Sequence, residues 1–247
     1  MGKRERLDKL LLDRGFASTR EEARRRILAG DVLVENRPVS KAGSLVNPEA
    51  EIRLKERPSY VSRGGTKLEK ALQEFGIDVK ERIVLDVGAS TGGFTDCLLT
   101  RGARRVYAVD VGYGQLDWKL RQDPRVLVLE KTNIRYLAPE ELPEPPDVAT
   151  IDVAFISLSL VLPQVKRILA RSGEIIALIK PQFEVGKGKV GKGGVVRDPE
   201  QHREVIERIK EVAGGIGLEA REVVESPLLG PKGNKEFFIH LIKQAEC

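Results

Sequence analysis

From Arg82 onward the chain alternates strand-length apolar runs with segments of helical period, and that alternation leaves few folds open. The runs fall at 82–87, 106–110, 126–130, 148–153, 174–180, 218–224 and 237–242, with helical patterns from Gly92, around Trp118, over 158–170 and over 199–213. Parallel strands must be joined by a long crossover, and a helix is the form of crossover that satisfies its own backbone groups. The pattern therefore predicts a doubly wound, Rossmann-like α/β sheet, mostly parallel, with helices on both faces. The last two runs are separated by a turn-rich stretch without a helix, so the final strand is expected to be antiparallel. One further helix, 67–75, precedes the first run and stops at Gly76.

The first sixty residues follow another pattern. Leu7, Leu10 and Leu11 predict a short helix within 5–14, closed by Arg14-Gly15. Ser18-Thr19-Arg20-Glu21 reads as a capping box, with Ser18 as the cap and Glu21 as the returning carboxylate, for a helix running to Ala29-Gly30. Val32-Leu33-Val34 and Glu51-Ile52-Arg53-Leu54 alternate as short strands of a small sheet. Lys and Arg outnumber Asp and Glu 14 to 10 in residues 1–60 but only 28 to 27 in residues 61–247, so +4 of the net charge of +5 sits in the first quarter. That asymmetry suits a nucleic-acid-binding module joined to a near-neutral one, although a merely solvated helix face would also account for it. The residues Arg6-Leu7-Asp8, Gly15, Ser18-Thr19-Arg20, Ala23, Ile27, Gly30 and Val32-Leu33-Val34-Glu35-Asn36 resemble the S4 RNA-binding domain. The resemblance implies a small α+β RNA-binding domain over 1–57, a linker over 58–61 and a second domain over 62–247. It also implies that Arg6, Arg20, Arg24 and Arg25, with Arg26 beside them, meet an RNA backbone, where each neutralised phosphate releases counterion.

The first strand of the second domain ends in Asp86-Val87-Gly88 and continues through Ala89-Ser90-Thr91-Gly92-Gly93-Phe94 into a helix. Glycines there let the backbone turn sharply and approach a ligand, or simply allow tight packing. The spacing is not the Gly-x-Gly-x-x-Gly of dinucleotide enzymes. Asp110 at the end of the second strand can accept two ribose hydroxyls, and Asp86 at the end of the first is expected near an ammonium group or an ordered water. This suits a ligand made of an adenosine and an amino-acid tail. The candidate cofactor set is Asp86, Gly88, Ser90, Thr91, Gly92, Gly93, Phe94, Asp110 and Asn133. Asn133 serves either the adenine edge or as a turn cap. Trp118 is expected in the core, and Cys97 as a small buried thiol without chemistry.

Chemistry in open α/β sheets gathers at the carboxyl ends of the parallel strands, which is where Asp152 and Lys180 fall. Beyond these two, Tyr60–Lys67-Leu68, Gly88–Thr95, Asp110–Leu116, Phe155-Ile156-Ser157-Leu158, Lys180-Pro181-Gln182-Phe183-Glu184-Val185-Gly186 and Gly233-Asn234-Lys235-Glu236 resemble the TlyA branch of the FtsJ-like ribose methyltransferases, a family also labelled haemolysin A. The resemblance implies S-adenosylmethionine as cofactor, cytidine in ribosomal RNA as substrate and a Lys-Asp-Lys-Glu tetrad at Lys67, Asp152, Lys180 and Glu236. A ribose 2′-hydroxyl is a poor nucleophile at neutral pH, so the reaction needs a proton acceptor. Burial and a nearby ammonium make a lysine's proton easier to lose, which casts Lys180 as base and Lys67 as the neighbouring cation, with Asp152 and Glu236 as orienting carboxylates. No metal is required. Ala154 stands where many relatives carry serine. The glycine-rich stretch from Lys187 to Gly194 is expected to be either a loop closing over RNA or an ordinary solvated connection.

The chain stops a few residues after its last strand, which within the family leans toward 23S rRNA alone, with 16S rRNA left open. Ribosomal subunits or their RNA are the expected partners, and a non-catalytic RNA-binding assembly factor is the competing class. A membrane-active haemolysin is disfavoured, because apolar runs such as Ile175-Ile176-Ala177-Leu178-Ile179 are far shorter than the roughly 20 residues of a membrane helix. The first residues carry charge with no apolar segment behind it, and Cys97 and Cys247 form neither a metal spacing nor a disulfide framework. A cytoplasmic location is the resulting expectation.

Overall fold

The computed structural model describes residues 4–55, 59–186, 190–191 and 193–244, so Cys247 and the expected linker residues up to Pro58 lie outside the described residues. The chain divides into two compact units, Met1–Pro58 and Ser59–Cys247.

In the first unit, β1 (Glu5–Arg6) runs into α1 (Leu7–Asp13), followed by α2 (Arg20–Leu28), β2 (Val32–Val34), β3 (Arg37–Pro38), β4 (Leu45–Val46) and β5 (Ile52–Leu54). β1 pairs antiparallel with β4, and β2 lies between β3 and β5, antiparallel to both. The first helix starts later than expected because Glu5 and Arg6 are drawn into pairing with Val46 and Leu45. The cap of α2 is also shifted by one residue. Thr19 Oγ1 accepts the Glu22 N–H at 3.1 Å, and the Glu22 carboxylate reaches back to the Ser18 N–H and hydroxyl at 2.9 and 2.7 Å. Leu7, Leu11, Ala23, Ile27 and Val32 are fully buried and form the core between the two helices and the sheet.

The second unit contains α3 (Arg63–Glu74), β6 (Ile83–Val87), α4 (Gly93–Thr100), β7 (Arg105–Val109), α5 (Trp118–Gln122), β8 (Val126–Leu129), β9 (Val148–Ile151), α6 (Leu162–Ile168), β10 (Glu174–Ile179), α7 (Pro181–Glu184), α8 (Pro199–Gly215), β11 (Leu218–Glu225) and β12 (Phe237–Lys243). Among the described residues the strands form one sheet in the order β11-β12-β10-β9-β6-β7-β8. β6 to β10 are mutually parallel, while β12 runs antiparallel to both β10 and β11. This is the predicted sheet, with its antiparallel strands at one end. Alternate residues feed opposite faces, as the two-residue period of a strand requires. Leu85 and Val87 pack with Leu162 and Ile209 of α6 and α8, whereas Val84 packs with Leu68, Leu72 and Leu98 of α3 and α4. Among the described residues no helix is long and apolar enough to cross a membrane.

Several expectations are corrected. Trp118 is 70% exposed, because Leu120 of α5 and Leu116 just before the helix are buried toward the core instead. The helix expected over 67–75 begins at Arg63, since Ser62 caps it and Gly64-Gly65 occupy its first turn, where glycine costs little. The helix expected over 158–170 is a short turn at Leu158–Leu160 followed by α6, which starts afresh with Pro163 in its first turn. Residues 59–61 are not a free linker, because Tyr60 is buried and the Val61 N–H donates to Asp96 Oδ2 at 2.8 Å.

Asp86 shares the α4 face of β6 with Val84 and has no solvent exposure. Its carboxylate accepts hydrogen bonds from the hydroxyls of Thr95 (2.6 Å) and Thr150 (3.1 Å). Burial outweighs those bonds and pushes the carboxyl from its ordinary 3.8 up to about 7. The folded chain thus retains a proton that the unfolded chain releases, so this group's stabilising contribution is complete below about pH 4 and is lost as pH rises toward 7. Asp86→Asn should therefore melt higher than the parent at pH 8 and lose that advantage near pH 4, a difference of at most about 4 kcal/mol by linkage, read from unfolding curves at the two pH values.

Candidate active site

In the parallel register Val87 stands opposite both Val109 and Ile151, so the chain leaves the sheet at one level at Gly88, Asp110 and Asp152. Lys180 leaves beside them at the end of β10. Two cavities, of about 360 and 540 Å³, open above these strand ends and share Gly88, Ser90 and Asp152 in their walls. β6 is flanked by β7 on one side and β9 on the other, which makes this the switch point where open α/β sheets bind ligands.

The turn after β6 is built for close approach. Gly88 has φ +84°, and a Cβ there would collide with the carbonyl of Asp152. Ser90, with φ 49°, is held in the left-handed region by its N–H, which donates to Asp110 Oδ2 at 2.7 Å. The Gly112 N–H donates to Asp110 Oδ1, also at 2.7 Å. Each Asp110 oxygen retains a lone pair, so a carboxylate oriented by two amides remains able to accept two ribose hydroxyls. Ser90 and Asp110 thus meet, although they come from different strand ends.

Thr91, Gly93 and Phe94 line the smaller cavity, while Asp110 and Asn133 line the larger. Gly92, at φ 95°, is the left-handed cap of α4 and packs against Leu116 and Leu120, so it lines neither cavity. Asp86 also lines neither. Expected beside an ammonium group or a water, it lies wholly beneath the turn on Thr95 and Thr150, because its strand position points it at α4. Asn133 is a turn cap, its Oδ1 accepting the Arg135 N–H at 3.1 Å, and it lines the larger cavity as well.

The four tetrad positions come together as two ion pairs. Lys67 Nζ donates to Glu236 Oε2 at 2.6 Å, with side chains 11% and 0% exposed. Lys180 Nζ lies 2.5 Å from Asp152 Oδ1, close enough for an ion pair but without hydrogen-bond alignment at that oxygen. Lys67 borders the smaller cavity, Lys180 the larger, and Asp152 both, while Glu236 stands behind Lys67. Glu236 Oε1 is buried without a hydrogen-bond partner among the described residues and is pressed against Gly230, where a Cβ would collide with it. Each lysine is thus matched to one carboxyl group, and truncating one member of a buried pair strands its partner at a cost of about 3–5 kcal/mol.

Sequence reasoning did not single out the apolar wall of Val111, Val153 and Ile156 in the larger cavity, nor Arg63 and Lys232 at the smaller one. Arg63 stands inside a motif already noted, whereas Lys232, at φ 60°, gave no local signal. Ala154 lines the larger cavity. Of the glycine-rich stretch, Lys187 to Lys189 and Lys192 lie outside the described residues, while the Gly194 carbonyl accepts from Asn234 Nδ2 at 3.0 Å.

In the first unit, Arg6 grips the buried Asp8 through two bonds of 3.0 and 2.9 Å, and Arg20 approaches the same carboxylate at 3.4 Å. The Arg6 hydrogen bonds hold that carboxyl below its usual range. Arg24 and Arg25 are exposed, with no acidic partner among the described residues, whereas Arg26 is engaged by Glu22 at 2.6 Å. Arg24 follows Arg20 by one helical turn, so the two share a face of α2.

A carboxylate for a ribose, an apolar wall for a base and a glycine turn that brings backbone close to a ligand fit an adenosine-bearing cofactor. Residues 60–243 match the family model of the FtsJ-like methyltransferases, and residues 5–52 that of the S4 domain. The chain is 46% identical over 249 residues to the 16S/23S rRNA (cytidine-2′-O)-methyltransferase TlyA of Mycobacterium tuberculosis, across 100% of this chain and 92% of that one. It is 41% identical over 238 residues to Hemolysin A of Brachyspira hyodysenteriae, across 96% of this chain and 99% of that one. A solved structure from Streptococcus thermophilus, 45% identical, aligns with a TM-score of 0.76 over 99% of this chain and 90% of that chain. With a glycine turn at the switch point and an S4 domain ahead of it, the chain belongs to the FtsJ-like methyltransferases of the TlyA and haemolysin A type, a family that depends on S-adenosylmethionine.

Proposed function

We propose that this protein transfers a methyl group from S-adenosylmethionine to the 2′-hydroxyl of a cytidine in ribosomal RNA, with 23S rRNA as the primary substrate and 16S rRNA as the second to be tested. The observation that carries the reading is the pair of ion pairs, Lys180–Asp152 and Lys67–Glu236, drawn up where the two cavities meet. The similarity along the whole chain to a cytidine-2′-O-methyltransferase supports the choice of nucleoside.

Each residue has a distinct task. Gly88, Ser90, Asp110 and Asn133 would hold the cofactor, with Asp110 accepting the ribose hydroxyls and the apolar wall covering the base. When bound, S-adenosylmethionine supplies an electrophilic methyl on a sulfonium that leaves as a neutral thioether. Lys180, as the free amine, takes the proton of the 2′-hydroxyl as its oxygen bonds to the methyl carbon, and Asp152 keeps the amine aimed at that oxygen. Lys67, fixed by Glu236, places positive charge where the oxygen becomes anionic. Arg6, Arg20, Arg24 and Arg25 bind RNA phosphates, and the two with no acidic partner among the described residues, Arg24 and Arg25, supply much of the salt-sensitive affinity.

Lys180→Ala should reduce methyl transfer to isolated ribosomal subunits by at least about a hundredfold, while calorimetric affinity for S-adenosylmethionine stays within about threefold. Turnover near the parental rate would remove Lys180 from the role of base. A parent protein that binds subunits without methylating them would instead favour the non-catalytic assembly factor. Asp110→Ala is expected to weaken cofactor binding by about 1.5–3 kcal/mol through loss of charge-assisted bonds, and unchanged affinity in the same titration would reject the ribose assignment. Replacing Arg24 and Arg25 with Ala should lower the logarithmic salt slope of RNA binding by up to about 2, which filter binding across a salt series measures directly.

A further inference from the structure

Glu184 closes the four-residue α7, in the Lys180-Pro181-Gln182-Phe183-Glu184 run whose later members have no role in the site described above. Its side chain is only 2% exposed. A carboxylate is costly to bury, so its partners indicate what the burial maintains. Glu184 Oε2 accepts the Ser157 hydroxyl at 2.7 Å, and Oε1 accepts the Leu158 N–H at 2.8 Å. On the other side, Arg208 donates to the Glu184 carbonyl and approaches Oε2 at 3.8 Å.

Both accepted bonds come from the segment that leaves β9 through Asp152. That segment is thinly anchored. The Asp152 N–H donates to the Val87 carbonyl at 2.9 Å, but among the described residues no N–H of residues 153–157 donates to a backbone carbonyl. Within it Phe155 takes φ 63°, a conformation that bulky side chains rarely adopt and that must be held by its surroundings. α7 supplies the hold at two points, Glu184 on Ser157 and Leu158, and the Phe183 ring tilted against Phe155 with centroids 4.9 Å apart. α7 itself begins directly after Lys180.

We infer that Glu184 is a positioning residue that clamps the 152–158 segment against α7 and thereby sets the relation of Asp152 to Lys180 and of Val153 and Ile156 to the cofactor cavity. The clamp acts between the two strand ends that carry the Lys180–Asp152 pair, and its catalytic consequence rests on the function proposed above. A displacement of about 1 Å at a reacting group is enough to cost about a hundredfold in rate, so loosening this segment should act on turnover before it acts on folding.

The full-length protein with purified subunits provides the test, using Glu184→Ala, Glu184→Gln, Ser157→Ala and, in parallel, Lys180→Ala. Glutamine keeps an acceptor and offers the Ser157 hydroxyl a donor, so Glu184→Gln should recover most of the activity lost in Glu184→Ala. Expected results are a fall in kcat of about ten- to a hundredfold for Glu184→Ala with a smaller change in KM for RNA, and a fall of a few-fold for Ser157→Ala at an unchanged melting temperature. Should Glu184→Ala fail to fold, Ser157→Ala and Glu184→Gln carry the comparison. Hydrogen–deuterium exchange over residues 158–160 should rise in Glu184→Ala, where the Leu158 N–H loses its acceptor, and in Ser157→Ala, where the Ser159 N–H loses the Ser157 hydroxyl. Unchanged exchange, or a folded Glu184→Ala with parental kcat while Lys180→Ala is inactive, overturns the clamp. An active Lys180→Ala removes only the assignment of Lys180 as base, and the exchange measurement then decides the clamp by itself.

Discussion

The site depends on the register of β6 against its two parallel neighbours. With Val87 opposite Val109 and Ile151, three chain exits stand at one height, and Gly88, Asp110 and Asp152 become neighbours without a long loop to bring them together. A slip of one residue in either pairing would turn Asp86 toward the opposite face and lower one wall of both cavities. The backbone bonds that enforce this level are the same ones that shape the turn, since the Val109 carbonyl receives both the Gly88 and Ala89 N–H groups and the Val87 carbonyl receives that of Asp152. The turn is thus an extension of the sheet's own ladder, and side chains carried on rigid strand ends are placed more accurately than those on a free loop.

Charge is handled differently above and below that level. Beneath the turn, Asp86 is given two hydroxyls and, among the described residues, no cation, and burial drives it toward the neutral form. Above it, the lysines at the cavities are each matched to a carboxylate. Asp8 in the first unit shows a third arrangement, in which a buried carboxylate organises two surface arginines that remain about half exposed. Arginine side chains presented in this way keep donors available for phosphate oxygens.

Much of the fold was legible because its signals are local. The strand-length apolar runs located the strands of the main sheet to within a residue or two, and the missing helix before Phe237 announced the antiparallel end. Errors arose where neighbours outside the segment decided the outcome. Glu5 and Arg6 look helical until Leu45 and Val46 pair with them, and Trp118 looks like core until Leu116 and Leu120 take the inner face. Asp86 reads as a ligand to the cofactor because its strand end is the right one. Only the direction of its side chain relative to α4 shows that it supports the turn from below.

Taken alone, the sequence determined the alternating elements, the glycine turn and the basic excess of the first quarter, because each is written in spacing or composition over short stretches, whereas the set of four polar residues was implied only by the family resemblance. The tertiary structure alone decided that those four form two separate pairs, that Asp152 stands between two cavities, and that Glu184 binds the segment behind it. Lys67 and Glu236 are 169 residues apart and meet only because β12 inserts antiparallel beside β10. Hydrogen bonds and ion pairs are set by distances of a few ångströms between side chains, and nothing in local periodicity specifies those distances until the sheet has closed its register.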